Sequence, residues 1–131
     1  MEITQDQIEA VAEGMGVSAD ELRKFVALGE QRSFAKGEYL FHESAPRQFF
    51  GILLTGKINL QRGLSGRNVT IACLAEGAII GESLFIDDLA HSVSGLALED
   101  VVVWAIGRTR IEEFRVAKPD IFYRMVGHAA R

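Results

Sequence analysis

Between residues 81 and 94 the chain gathers a glycine, three carboxylates, three serines and a histidine: Gly81, Glu82, Ser83, Asp87, Asp88, His91, Ser92 and Ser94. The segment leaves an apolar run, Ala78-Ile79-Ile80, passes through a short amphipathic turn at Leu84, Phe85 and Ile86, and returns to a strand pattern at Ser92 and Val93. Such a stretch has the makings of a small-anion cradle. Glycine lets the backbone approach a ligand closely, and hydroxyls beside backbone N–H groups at the start of a helical turn favour negative charge. His91 is the sole basic residue in the segment. A bland reading stands beside this one: a Gly-Glu pair also marks an ordinary turn, with Glu82 capping backbone N–H groups.

Other chemistry-bearing residues are sparse. His42 and Glu43 are adjacent, so on a strand they point to opposite faces and make a poor metal pair. Cys73 is the single cysteine, which excludes an internal disulfide and a four-thiolate site within one chain. Placed among Val69, Ile71 and Leu74, it is expected to be a small buried hydrophobe. A catalytic jelly-roll metal site would need His42, His91 and a glutamate, but the glycine-anchored His-x-His cluster of such sites is absent.

The elements that must position the cradle read as mostly β. Thr4 with Gln7 and Ser18 with Glu21 have capping-box spacing, predicting two short helices within residues 1–30 that end near Gly14 to Gly16 and near Gly29. From Gln31 the apolar period becomes two. Strands are predicted over 31–34, 39–41, 49–54, 57–62, 68–74, 79–80, 92–97 and 101–106, separated by turns at Gly37, Gly56, Gly63 to Gly66 and Gly77. Eight short strands suggest a jelly roll closed on itself. Trp104, between Val103 and Ala105, reads as core or rim, and residues 64–67 as an exposed hairpin tip. Thr109 with Glu112 suggests a third capping box, and Pro119 opens a last helix with Ile121, Phe122, Met125, Val126 and Ala129 on one stripe.

The composition bounds the function. At 131 residues, 48% hydrophobic and 24% charged, the chain suits one globular domain with its own core. A formal net charge of −4 lacks the basic face that phosphate-backbone binding needs, so no direct nucleic-acid contact is expected. Neither a signal peptide nor an apolar run of about 18 residues is present, so no membrane association is expected and the location expected is cytoplasmic.

Three blocks carry a resemblance: 34–43 with Gly37, 49–60 with Gly56, and 74–82 with Gly77 and the Gly81-Glu82 pair. Together they resemble the cyclic nucleotide-binding domain of Crp/Fnr-type regulators, over roughly residues 34–126. The resemblance implies a mainly β fold with flanking helices (α+β): an eight-stranded jelly-roll or double-stranded β-helix barrel with short N-terminal helices and a C-terminal helix. It implies a single domain over 1–131, with N-terminal helices at 1–30, the barrel at 31–106, a phosphate-binding cassette at 81–94, and C-terminal helices at 107–131. The implied ligand-binding set is Gly81, Glu82, Ser83, Leu84, His91, Ser92 and Val93, with Glu82 accepting from the ribose hydroxyl and Gly81 and Ser83 donating backbone N–H groups.

Where the family places a phosphate-gripping arginine, this chain has His91. An imidazole presents one donor when neutral and titrates near pH 6.5, unlike a permanently charged guanidinium. Arg47, Arg62 and Arg67 are the arginines that could take over the charge. The expected function is a non-catalytic regulatory ligand-binding module for cAMP, cGMP or a related small anion, in signalling or transcription. The alternative is a degenerate domain that has lost nucleotide binding and serves interaction or dimerisation. A homodimer through the 119–131 helix is expected, and nothing after that helix resembles the helix-turn-helix reader of transcriptional regulators.

Overall fold

The computed structural model describes residues 3–46, 48–81 and 93–129. Helix α1 (Gln5–Met15) begins with the capping box read from sequence: Thr4 Oγ1 accepts the Gln7 N–H at 3.2 Å, and Thr4 N–H donates to Gln7 Oε1 at 2.9 Å. Ser18 and Glu21 repeat the arrangement at α2 (Ala19–Val26), with distances of 3.1 and 2.9 Å. Each box satisfies two otherwise orphaned N–H groups. Gly14 lies inside α1, which Gly16 caps in the left-handed region, and α2 ends earlier than expected, with Ala27 as its cap.

Eight strands follow: β1 (Glu30–Phe34), β2 (Tyr39–Phe41), β3 (Phe49–Thr55), β4 (Ile58–Leu64), β5 (Arg67–Leu74), β6 (Ile79–Ile80), β7 (Ser94–Ala97) and β8 (Val101–Gly107). They form two antiparallel four-stranded sheets, ordered β1-β8-β3-β6 and β2-β7-β4-β5. This is the mainly β fold with flanking helices that the resemblance implies, with one correction. Among the described residues the sheets stay separate, so the jelly roll is a two-sheet sandwich and not a closed barrel. The turn glycines Gly37, Gly56 and Gly77 take φ of +91°, +99° and +91°, a region costly for residues with a Cβ.

Alternation in the first sheet builds three layers. Phe50, Ile52 and Leu54 of β3, with Trp104 and Ile106 of β8, turn outward onto Ile8, Leu22 and Phe25 of α1 and α2 and onto the C-terminal helices. Phe49, Leu53, Val101, Val103 and Ala105 turn inward, against Phe41, Ile58 and Ala97 of the second sheet. Trp104 is 3% exposed and its indole N–H donates to the Val26 carbonyl at 3.0 Å, tying α2 to the sheet. Full burial of one such large side chain contributes about 1.5–3 kcal/mol.

Helix α3 (Arg108–Ala117) departs from the sequence reading. Its N-cap is Gly107, directly continuous with β8, and no side chain caps it. Thr109 is already inside the helix, so its hydroxyl is misplaced for a capping box with Glu112. Helix α4 (Pro119–Ala129) starts at its proline as predicted. Its Ile121, Phe122 and Met125 are buried in the chain's own helical layer, while Tyr123 on the other side is 57% exposed. Arg124 of α4 donates to both carboxylate oxygens of Glu21, one bond measuring 2.9 Å, and His128 covers Gly16 at the end of α1.

Candidate functional site

Five of the seven residues assigned to the ligand site, Glu82, Ser83, Leu84, His91 and Ser92, lie outside the described residues, as does Arg47. Gly81 and Val93 are described and bound the cassette at its two ends. Gly81 follows β6 on the edge of the first sheet, and Val93 precedes β7, an inner strand of the second. The cassette therefore joins the two sheets of the sandwich.

Gly81 adopts φ +74°, and a Cβ there would lie 2.6 Å from the Phe49 carbonyl oxygen. The close approach that this glycine permits is thus to the first residue of β3. The fold requires glycine at the start of the cassette whether or not a ligand is present.

At the other end, register decides which side chains face the interior of the sandwich. Across the second sheet Ala97 pairs with Ile58 and Ile58 with Leu74, while Gly95 pairs with Leu60 and Leu60 with Ala72. Ile58 is fully buried in the inter-sheet core, with Leu60 and Leu74 packed against it, so these rows face inward. The Phe41 ring lies over Gly95, where a Cβ would come within 2.5 Å of it. Asn59 and Gln61 belong to the opposite face: Asn59 bonds Thr70 Oγ1 at 3.0 Å, and Gln61 accepts from the Tyr39 hydroxyl at 3.0 Å.

A bulge falls between the Leu60–Ala72 and Gln61–Thr70 pairs, adding Ile71 to β5. It shifts the parity of β5, so that Val69 and Arg67 fall on the same face as their partners Arg62 and Leu64, which follow Leu60 by alternation along β4. Both candidate hairpin arginines are thereby on the face of the sheet that bears Leu60. The hairpin turns through Ser65 and Gly66 at φ +51° and +83°, and its tip is exposed as expected.

Other sequence-level candidates separate. Cys73 is exposed, contrary to expectation, because β5 is an edge strand that no described element covers on its outer face; its thiol lies 3.5 Å from Asn59 Oδ1. His42 follows β2 and stacks on Tyr39 at 4.9 Å, whereas Glu43 accepts the Gly63 N–H at 2.9 Å and donates its own N–H to Ser94 Oγ at 2.8 Å. Among the described residues no three His, Cys, Asp or Glu side chains gather as a metal site. Sequence reading missed a polar cleft of about 690 Å³ at the β8–α3 junction, lined in part by Arg32, Gln48, Arg108 and Arg110. These residues come from β1, the segment before β3, and the first turn of α3, without a shared motif.

Residues 31–117 match the family model described as the cyclic nucleotide-binding domain. A Cyclic AMP receptor protein from Thermus thermophilus is 28% identical over 94 residues, which are 71% of this chain and 44% of that receptor's length. Two solved structures share the fold. The N-terminal domain of a transcriptional regulator from Streptomyces coelicolor A3(2) superposes with a TM-score of 0.80 at 22% identity, covering 98% of this chain and 87% of that one. A cyclic nucleotide-binding domain from Methylobacillus flagellatus KT gives 0.78 at 21% identity, covering 94% and 74%.

Proposed function

Since the chain belongs to the cyclic nucleotide-binding domain family, we propose that it is a non-catalytic regulatory module whose ligand is a cyclic nucleotide, cAMP or cGMP. The observation that carries this reading is the family match, which runs unbroken from β1 through the cassette to α3. The geometry supports it. Gly81 follows β6 of one sheet and Val93 precedes β7 of the other, and the face of the second sheet that bears Leu60 and Ala72 also bears Arg62. An apolar base beside an anionic phosphate would match that order. Gly81, Glu82, Ser83, Leu84, His91, Ser92 and Val93 are the contacts proposed, within one domain over 1–131. The module would act in the cytoplasm in signalling or transcription, and α4 would move with ligand.

A second reading, a domain that has lost nucleotide binding, draws on His91 standing at the arginine position. Titration calorimetry of cAMP and cGMP into the chain and its His91→Arg variant separates the two. Micromolar binding by the unaltered chain supports the sensor. Silence that His91→Arg reverses supports the degenerate domain, and silence from both refutes the cyclic-nucleotide assignment. A homodimer through α4 would use the face bearing Tyr123, because Ile121, Phe122 and Met125 are committed to the core. Sedimentation of the chain and a Tyr123→Glu variant tests it: an unaltered monomer, or a dimer indifferent to the substitution, sinks the idea.

A further inference from the structure

Of the four strands at the edges of the two sheets, three are blunted. Strand β6 has two residues and β2 three, while β1 carries Glu30 and Arg32. Short length and charge are the usual guards against pairing with another chain. Strand β5 has neither guard. It is eight residues long and free of charge, proline and glycine from Asn68 to its end, and Val69 and Ile71 on it and Leu64 beside it are 39%, 50% and 53% exposed. Among the described residues nothing pairs with its outer edge. We propose that this edge is a self-association surface, on which a second copy of the chain adds its own β5 in antiparallel register.

The bulge decides which registers are possible. Pairing with β4 sets Arg67, Val69, Ala72 and Leu74 on one face of β5, and Asn68, Thr70 and Cys73 on the other. Directly opposed residues of an antiparallel pair share a face. A regular strand meets its own copy with matched faces only where opposed residues are an even number of positions apart; the extra residue at Ile71 makes that number odd across the bulge. Opposing Val69 to Leu74 therefore aligns Thr70 with Cys73 on the other face and leaves Ile71 and Ala72 flanking the twofold axis. In the same register Arg67 of each copy stands opposite Glu76 of the other, just past the end of β5. Glu76 accepts from the Gln7 amide at 3.2 Å, a neutral partner that leaves its charge in place.

Charge complementarity selects this occupant and this register. The uncharged run has a cation at one end and an anion at the other, so an antiparallel copy meets both ends with opposite charge. A parallel copy would set arginine beside arginine and glutamate beside glutamate. Sliding the antiparallel copies by two positions, so that Arg67 opposes Leu74, also matches the faces but sets the arginine against an apolar side chain. The contact belongs to the second sheet, whereas α4 packs on the first, so it is separable from a dimer through α4.

The test is sedimentation of the full chain across the micromolar range, without nucleotide. The unaltered chain and Tyr123→Glu should dimerise alike. Ile71→Lys, which sets two like charges near the axis, should weaken the dimer at least tenfold. Arg67→Glu should weaken it about tenfold, since two surface pairs are lost together, and Arg67→Glu combined with Glu76→Arg should restore it. Strand β5 holds Arg67 about 23 Å from Leu74, so a contact within one chain cannot produce that rescue. A monomer at every concentration overturns the proposal, as does a dimer that Tyr123→Glu abolishes or that Ile71→Lys leaves unchanged. Should Ile71→Lys fail to fold, the charge exchange decides: restoration by the double variant supports the register, and its failure refutes it.

Discussion

Replacing Gly81 by alanine introduces two separable costs, and the structure supplies a control for each. The first is conformational, since φ of +74° is a left-handed geometry that costs an L-residue about 1–2 kcal/mol. Gly77, at φ +91° with nothing within 4 Å of where a methyl would stand, carries that cost alone. In both variants the stiffer unfolded chain offsets about 0.4–1 kcal/mol, leaving a net loss of about 0.5–1.5 kcal/mol for Gly77→Ala. Gly81→Ala adds the second cost, a methyl 2.6 Å from the Phe49 carbonyl oxygen. That oxygen cannot retreat cheaply, because β3 is paired on both sides, with β8 and β6. Overpacking of this kind adds about 1–3 kcal/mol, for a total of about 2–4 kcal/mol. At roughly 3–5 °C per kcal/mol for a chain of this size, Gly81→Ala should melt about 6–20 °C below the unaltered protein and clearly below Gly77→Ala. The assay is thermal unfolding followed by circular dichroism. Equal melting temperatures for the two variants would refute the claim that the start of the cassette is pinned against β3.

Further outcomes follow from the helical layer and the sheet edge. Trp104→Phe removes the donor to the Val26 carbonyl and leaves space beside Phe25 and Phe50; it should destabilise by about 2–3 kcal/mol in urea unfolding. The Arg124 guanidinium, followed by the Ser18 backbone, lowers the Glu21 carboxyl from its usual 4.5 to about 2. A carboxyl depressed in the folded state stabilises above its unfolded value, and that contribution is lost as pH falls from about 4.5 through about 2. Melting temperature should therefore drop over this window, and less steeply in Glu21→Gln; identical acid limbs would contradict the pairing of α2 with α4. Cys73, exposed on the edge strand, should react with a thiol reagent in the folded protein at one equivalent per chain, whereas a buried thiol would react only after unfolding.

Much of the local structure is determined by residues a few positions apart. The boxes at Thr4 and Ser18 form because a hydroxyl and an acid or amide three residues on satisfy N–H groups that no other part of the helix can reach. The limits of β2 and β6 are legible to the residue, and those of the other strands nearly so, because period-two apolar runs and positive-φ glycines punctuate the chain. The resemblance to the family is legible in the same local punctuation, spaced along the chain at Gly37, Gly56, Gly77 and Gly81, all within the matched residues 31–117. Local pattern also misled, at Thr109, where the continuity of β8 into α3 starts the helix before the threonine can cap it.

Questions of coverage and facing belong to the tertiary structure. Whether Cys73 is buried depends on what packs over β5, and alternation reads the same on a covered face as on a bare one. Whether the sheets close depends on edges that meet or do not, which strand count cannot reveal. The side on which Arg62 stands follows by alternation from Leu60, whose facing the pairing with β7 sets, and the side of Arg67 is set by the bulge at Ile71; both depend on pairing between strands. Sequence thus names the residues able to hold an anion; only the register of the folded sheets decides which of the described ones share a face, because a one-residue slip exchanges the two faces.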